Sequence, residues 1–171
     1  MLSVQGLSHS TYSEAVTPPS VLFAAEFSRR TNQRELIHAA AILYARAVFV
    51  PLTLVGSGQP RIRTSTQELA HALGLQQQIR WIDTAEPSLH QLREHPVCVI
   101  SHLDATRSLI NKAQAAGCEL LVINHRDLAP GAYGSNVQLI PPQDAPALAN
   151  ALEDRLRQAI HHRPWSQALS A

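Results

Sequence analysis

The stretch from Cys98 to Asn124 constrains this chain more than any other. It reads C-V-I-S-H-L-D-A-T-R-S-L-I-N-K-A-Q-A-A-G-C-E-L-L-V-I-N. The apolar run Pro96 to Ile100 predicts a buried strand that breaks off at Ser101-His102. A helix is expected over Ala105 to Ala116, where Leu109, Ala113 and Ala116 recur at helical spacing and give one apolar face. Gly117 suits the left-handed residue that closes a helix, and Leu120 to Ile123 begins the next strand. Strand, loop, helix, strand is one βαβ unit of a parallel sheet. Ligands of such sheets sit beyond the carboxyl ends of the strands, where helices begin, so the loop Ser101 to Ser108 is the expected binding place.

The rest of the chain repeats the alternation. Met1 to Pro19 is rich in Ser and Thr, ends in Thr17-Pro18-Pro19 and reads as an irregular lead-in, which leaves 20–171 as the folded domain. Ser20 to Ala25 is a short strand, and Glu26 to Thr31 a polar turn holding Arg29-Arg30. Asn32 is a candidate N-cap for a helix over Gln33 to Arg46, with an apolar stripe of Leu36, Ala40, Leu43 and Ala47. A strand over Leu52 to Val55 starts after Pro51 and ends in Gly56-Ser57-Gly58. A helix over Thr64 to Leu73, a strand over Ile79 to Ile82 and a short helix over Ser88 to Glu94 follow. Beyond Asn124, a loop with Pro130, Gly131 and Gly134 leads to a strand over Val137 to Ile140, and Asp144 is placed to cap a helix over Ala145 to Ile160. About six alternations argue for an α/β fold: a doubly wound parallel β-sheet, Rossmann-like, of about six strands with flanking helices.

Composition narrows the functional classes. The chain has 171 residues, 16% of them charged, with a formal net charge of +1. A nearly neutral chain offers no broad field for nucleic acid or anionic membrane. No apolar run approaches the ~20 residues that span a bilayer. The start lacks a basic segment followed by an apolar block, so no secretory signal is expected and a cytoplasmic protein is. Cys98 and Cys118 read as reduced core residues.

Three stretches resemble one family in order and spacing. Val21 to Gln33 followed by Leu36-Ile37-His38-Ala39 is similar to a strand, a "G-R-L" turn and "K-N-Q" before a helix reading "L-I-x-A". Leu52 to Pro60, then Glu68-Leu69-Ala70, Leu73-Gly74-Leu75 and Ile79 to Ile82 resemble "L-V-L-V-G-x-G-P", "L-A", "L-G-L" and "V-x-F". Ala113 to Gly117 and Val137 to Asp144 resemble "A-M-A-A-G" and "L-x-x-P-x-D", and Arg163 to Ser166 the "F-S-W" start of a final helix. The family is the retaining GT-B glycosyltransferases, and the likeness, from about Pro19 to Ala168, is to their C-terminal, donor-binding domain.

The resemblance implies a nucleotide sugar as ligand, no metal and no further cofactor. It implies contacts at the loops after Ala25, Gly56 and Ser101, with candidate residues Gly56, Ser57, Gly58, Ser101, Asp104, Arg107, Ser108 and Lys112. Several donor-contacting positions depart from the family. The "G-R-L" arginine and "K-N-Q" lysine, which embrace the diphosphate, fall on Glu26 and Thr31. The family's paired glutamates fall on Asp104 and Lys112, and Lys112 has no acceptor for a ribose hydroxyl. The "E-G-F-G" loop becomes Asp104 to Arg107, without the glycines that let backbone approach phosphate. Arg29 or Arg30 would be the substitute cation from the same turn.

The residues also have simpler readings. Asp104 would serve as a helix N-cap, Arg107 and Ser108 as exposed first-turn residues, and Lys112 as a solvated helix residue. Gly56-Ser57-Gly58 reads as a turn, lacking both the third fingerprint glycine and a P-loop lysine. Adjacent His161-His162 point apart on a helix, and no serine lies in a nucleophile-elbow setting. The expectation is a donor nucleotide-sugar-binding domain with a degenerate site, dependent on a partner protein that supplies the acceptor half. One alternative is a non-catalytic interaction module of a glycan-assembly complex, with Trp165 as a contact. The other is an unrelated Rossmann-like nucleotide binder.

Overall fold

In the computed structural model the described residues are 18–101, 107–123, 133–134 and 136–162, with residues 161 and 162 described by their backbone alone. The elements run β1 (Val21–Ala24), α1 (Gln33–Ala45), β2 (Leu52–Val55), α2 (Pro60–Ala72), a 3-10 turn (Gln76–Gln78), β3 (Ile79–Ile82), α3 (Leu89–Glu94), β4 (Val97–Ser101), α4 (Arg107–Ala115), β5 (Glu119–Ile123), β6 (Val137–Ile140) and α5 (Ala145–His162). The six strands form one sheet in the order β3-β2-β1-β4-β5-β6, and every pairing is parallel. This is the doubly wound, Rossmann-like sheet that the alternation predicts.

The central strands are buried on both faces, which is why they read as unbroken apolar runs. Val21, Phe23, Leu52, Leu54, Val97, Val99, Leu121 and Ile123 face α1, α2 and α5. Leu22, Ala24, Val55, Cys98, Ile100, Leu120 and Val122 face α3 and α4. Cys98 and Cys118 are buried thiols outside any disulfide, as expected for core residues, and burial pushes the Cys98 thiol well up. The Cys118 thiol lies 3.1 Å from the Leu92 carbonyl and 3.3 Å from the His95 carbonyl, and its single proton serves one at a time.

Helix α5 returns across the sheet to lie beside α1, and Arg46 at the end of α1 reaches Asn150 at 2.8 Å and Glu153 at 3.2 Å. Asp144 caps α5 as the sequence suggests, accepting from Ala147 N at 2.8 Å. Ser88 and Gln91 form a reciprocal capping box on α3. Two local expectations are corrected. Helix α2 starts at Pro60 rather than Thr64, because proline is favoured in the first turn and the polar Arg61 to Thr66 stretch shows no apolar period. Asn32 stands at the N-cap position of α1, but its side chain makes no cap hydrogen bond. It turns toward the sheet instead. No helix among the described residues is long and apolar enough to cross a membrane.

One buried polar pair ties α3 to the sheet. His95, almost wholly buried, lies 2.6 Å from the Gln91 carbonyl through Nδ1 and 2.8 Å from the Thr53 hydroxyl through Nε2. A carbonyl only accepts, so Nδ1 carries the proton and Nε2 accepts from Thr53. Both nitrogens are engaged by the neutral ring. Burial, the largest influence, lowers the pKa of His95 below its ordinary value. The unfolded chain therefore takes up a proton near pH 6.5 that the native state refuses. Stability is fully present above that pH and falls as the pH drops toward the lowered folded pKa. Denaturant midpoints measured from pH 7.5 to 5.5 should decline as the pH falls below 6.5, and His95→Gln should flatten that decline.

Candidate functional site

The strand order reverses between β1 and β4. The chain leaves β1 for β2 on one side and β4 for β5 on the other. The loops after these two neighbours diverge, and the crevice between them is where open α/β sheets bind ligands. The structure links the end of β4 to the start of α1. Ser101, wholly buried at the end of β4, donates to Asn32 Oδ1 at 3.3 Å. Asn32 Nδ2 donates to Glu35 Oε2 at 2.6 Å. Glu35, also buried, accepts from Gln143 N at 3.0 Å and from Asp144 N at 3.3 Å. One relay of hydrogen bonds thus joins β4, the start of α1 and the start of α5. It also explains why Asn32 leaves its capping role.

The turn after β1 is locked from within. The Thr31 hydroxyl lies 2.6 Å from Glu26 O, 2.9 Å from Ser28 O and 2.7 Å from Gln33 Oε1, and its single proton serves one acceptor at a time. Gln33 Nε2 donates to the same Glu26 carbonyl. Thr31 is therefore a fastening of the turn, while the Glu26 side chain is exposed.

The sequence-predicted candidates are distributed as follows. Gly56, Ser57 and Gly58 lie against the β1 turn: Phe27 N donates to Ser57 O at 2.7 Å, and Gln59 N to Phe27 O at 2.8 Å. A Cβ on Gly56 would stand 1.9 Å from Ala25 O, and one on Gly58 2.7 Å from Phe27 O, with Gly58 at φ +131°. Close backbone contact accounts for both glycines. Arg107 and Ser108 open α4 and are exposed. Lys112 turns to the β3–α3 connection, 3.1 Å from Glu86 Oε2 and 3.5 Å from Pro87 O. That half-exposed pair contributes at most about 1 kcal/mol. Asp104 lies outside the described residues.

Between the starts of α1 and α5 lies a cleft of about 400 Å³, lined by Arg29, Arg30, Thr31, Asn32, Arg34, Glu35, His38, Gln143 and Ala145. Sequence reasoning singled out Arg29 and Arg30 but missed Arg34, His38 and Glu35. The signal for the first two was their i, i+4 spacing on the polar face of α1. The signal for Glu35 was a carboxylate three residues after Asn32, followed at once by the apolar Leu36-Ile37.

Sheet order, crevice and returning last helix define a Rossmann-like domain of the kind found as the C-terminal half of GT-B glycosyltransferases. The chain belongs to the family glycosyl transferases group 1, whose model matches residues 18–158. Among solved structures, a glycosyltransferase from Rickettsia africae ESF-5 superposes with a TM-score of 0.67 at 17% identity, over 82% of this chain and 38% of its own. The C-terminal domain of a glycosyl transferase group 1 family protein (LpcC) from Francisella tularensis gives 0.60 at 17% identity, over 84% of this chain and 80% of its own. Anabaena Alr3699/HepE, solved in complex with UDP and glucose, gives 0.61 at 17% identity, over 88% of this chain and 40% of its own. The chain thus spans about two fifths of the Rickettsia and Anabaena proteins. At these identities the likeness is one of fold. No curated protein matches the sequence.

Two substitutions test this geometry. Gly56→Ala should destabilise the domain by about 3 kcal/mol or more, because its Cβ meets backbone rather than a movable side chain. Glu35→Ala should cost about 1–3 kcal/mol, since it strips partners from the Asn32 amide and from two backbone N–H groups at the start of α5. Urea unfolding of each variant against the parent reads both.

Proposed function

We propose that the chain is the donor side of a nucleotide-sugar-dependent glycosyltransferase: it binds the nucleoside diphosphate of the donor in the crevice between β1 and β4. The observation that carries the reading is the Ser101–Asn32 bond at the strand-order reversal, in a chain of this family. It holds the end of β4 to the start of α1, beside the crevice where a ligand would lie. Arg107 and Ser108 would face that ligand from the start of α4, Gly56-Ser57-Gly58 would border it from β2, and the buried Ser101 would act through its bond to Asn32; Asp104 is a further candidate from the sequence. Amides at the start of α4 favour an anion there. The Anabaena relative's complex with UDP and glucose is consistent with such a ligand.

The site is degenerate by this reading. Thr31 fastens its own turn and Lys112 pairs with Glu86, so neither reproduces the family's charge or acceptor at its position. Any residual chemistry would come from electrostatic stabilisation of the leaving diphosphate, without metal or other cofactor. Transfer would require an acceptor-binding half supplied by a partner, in the cytoplasmic setting expected from the sequence. A protein that binds no donor would instead be the interaction module of such an assembly. An unrelated nucleotide binder loses its ground, because the family model covers residues 18–158 and α5 returns over α1.

Calorimetric and thermal-shift titrations with UDP, GDP, ADP and their common sugars test the reading. Saturable binding of one nucleoside diphosphate is expected, weakened several-fold by Arg107→Ala and by Ser101→Val. A ligand at ten times its dissociation constant adds about 1.4 kcal/mol of apparent stability, visible as a shift of a few degrees. Absence of binding at millimolar concentrations of all three would overturn it and turn the search to protein partners.

A further inference from the structure

Glu35 lines the cleft between α1 and α5, yet it is only 8% exposed and its carboxylate is spent inside the domain. Oε2 accepts from Asn32 Nδ2 at 2.6 Å and from Gln143 N at 3.0 Å, and Oε1 accepts from Asp144 N at 3.3 Å. A carboxylate only accepts, so the Asn32 group that faces it is the NH2. Asn32 Oδ1 is thereby turned to Ser101, whose proton it takes at 3.3 Å. The reversed amide would set two oxygens against each other across the 2.6 Å contact. One buried acid thus sets the sense of every bond in the relay.

Both ends of the relay are tied to backbone. At the far end Gln143 stands at φ +57°, a left-handed conformation that favours glycine, and Glu35 takes its N–H. Glu35 takes the N–H of Asp144 as well, the residue whose side chain caps α5. At the near end Thr31 and Gln33, the neighbours of Asn32, both reach the Glu26 carbonyl. Asn32 therefore cannot shift without the turn after β1. The crevice edge and the start of α5 share one acceptor, and a contiguous hydrogen-bond network of this kind can carry energetic coupling.

We infer that Glu35 is a positioning residue: it keeps the Asn32 amide in one orientation and couples the crevice end of β4 to the start of α5. A ligand that fixes the crevice edge then orders Gln143 and Asp144 through Glu35, and by reciprocity Glu35 strengthens the binding of that ligand. That the ligand is a nucleoside diphosphate rests on the function proposed above; the coupling itself rests on the buried relay.

Hydrogen exchange at the Gln143 and Asp144 amides, followed by nuclear magnetic resonance, tests the coupling in the full chain, in Ser101→Ala, in Glu35→Gln and in the double variant. Glu35→Gln keeps the size of the side chain but allows the Asn32 amide to reverse. Should it fail to fold, Asn32→Ala takes its place, since it breaks the same relay. Ser101→Ala should quicken exchange at both amides by about fivefold or more in the parent background, and by less than about twofold where Glu35 is replaced. His95→Gln, which lies outside the relay, should leave both amides unchanged. UDP, GDP or ADP, whichever binds, should slow both amides in the parent. Glu35→Gln should abolish that slowing and weaken the nucleotide by about fivefold or more. The expected exchange pattern with no nucleotide bound by any form would uphold the coupling and count against the donor reading. Unchanged exchange in Ser101→Ala would overturn the inference. So would equal quickening with and without Glu35, or a nucleotide bound equally by the parent and Glu35→Gln.

Discussion

Pairing of β1 with β4 is the constraint on which the rest of the structure depends. Val21 to Ala24 align with Val97 to Ile100 in parallel register, and every residue of both runs is buried. Parallel neighbours cannot be joined by a tight turn, so the chain must cross over with helices. Because β1 and β4 each continue outward in opposite directions, α1 lies on one face and α4 on the other. The sheet is thereby covered on both sides, and the crevice at its carboxyl edge is a consequence of topology rather than of any single residue.

Around that crevice, polar groups are engaged in holding the backbone together. Thr31 and Gln33 converge on the Glu26 carbonyl, and Gly56 and Gly58 let the turn after β2 lie against the turn after β1. Ser101, Asn32 and Glu35 carry one relay from the sheet to α5. Each bond contributes only about 1 kcal/mol, but leaving any of these buried groups without its partner costs more than the bond contributes. The loops at this edge are consequently pinned from three directions. Fixing them in this way lowers the ordering that a ligand would otherwise impose on binding.

The charge pattern follows from the same arrangement. Glu35, drawn inward by Asn32 and the amides of α5, cannot balance the arginines that share its cleft. Lys112 is neutralised by Glu86 on the other face of the sheet. The domain as a whole carries a formal charge of +1, so the local excess at the mouth of α1 is a matter of placement, not of composition.

Much of the fold was legible in the sequence because parallel strands buried on both faces are short apolar runs between turn residues. β2, β3 and β6 fall on the expected residues, Pro51 marks the start of β2, and Asp144 caps α5 as its position suggests. The family likeness was legible for the same reason, since its motifs are the strand ends and helix starts themselves. The start of α2 was not, because Pro60 to Thr66 is mostly polar, with Ile62 its one large apolar residue, so no apolar period marks it. Nor was the engagement of the site's side chains. Nothing local distinguishes an asparagine that caps its helix from one that bonds a serine sixty-nine residues away. Nor does the sequence say that Glu35 turns to α5 while Arg34 stays in solvent. The sequence by itself determined the alternation of elements, their burial and the family; tertiary structure decided which polar groups fasten the loops and which arginines remain unpaired, because those partners come from strand ends and helix starts that only the crossovers bring together.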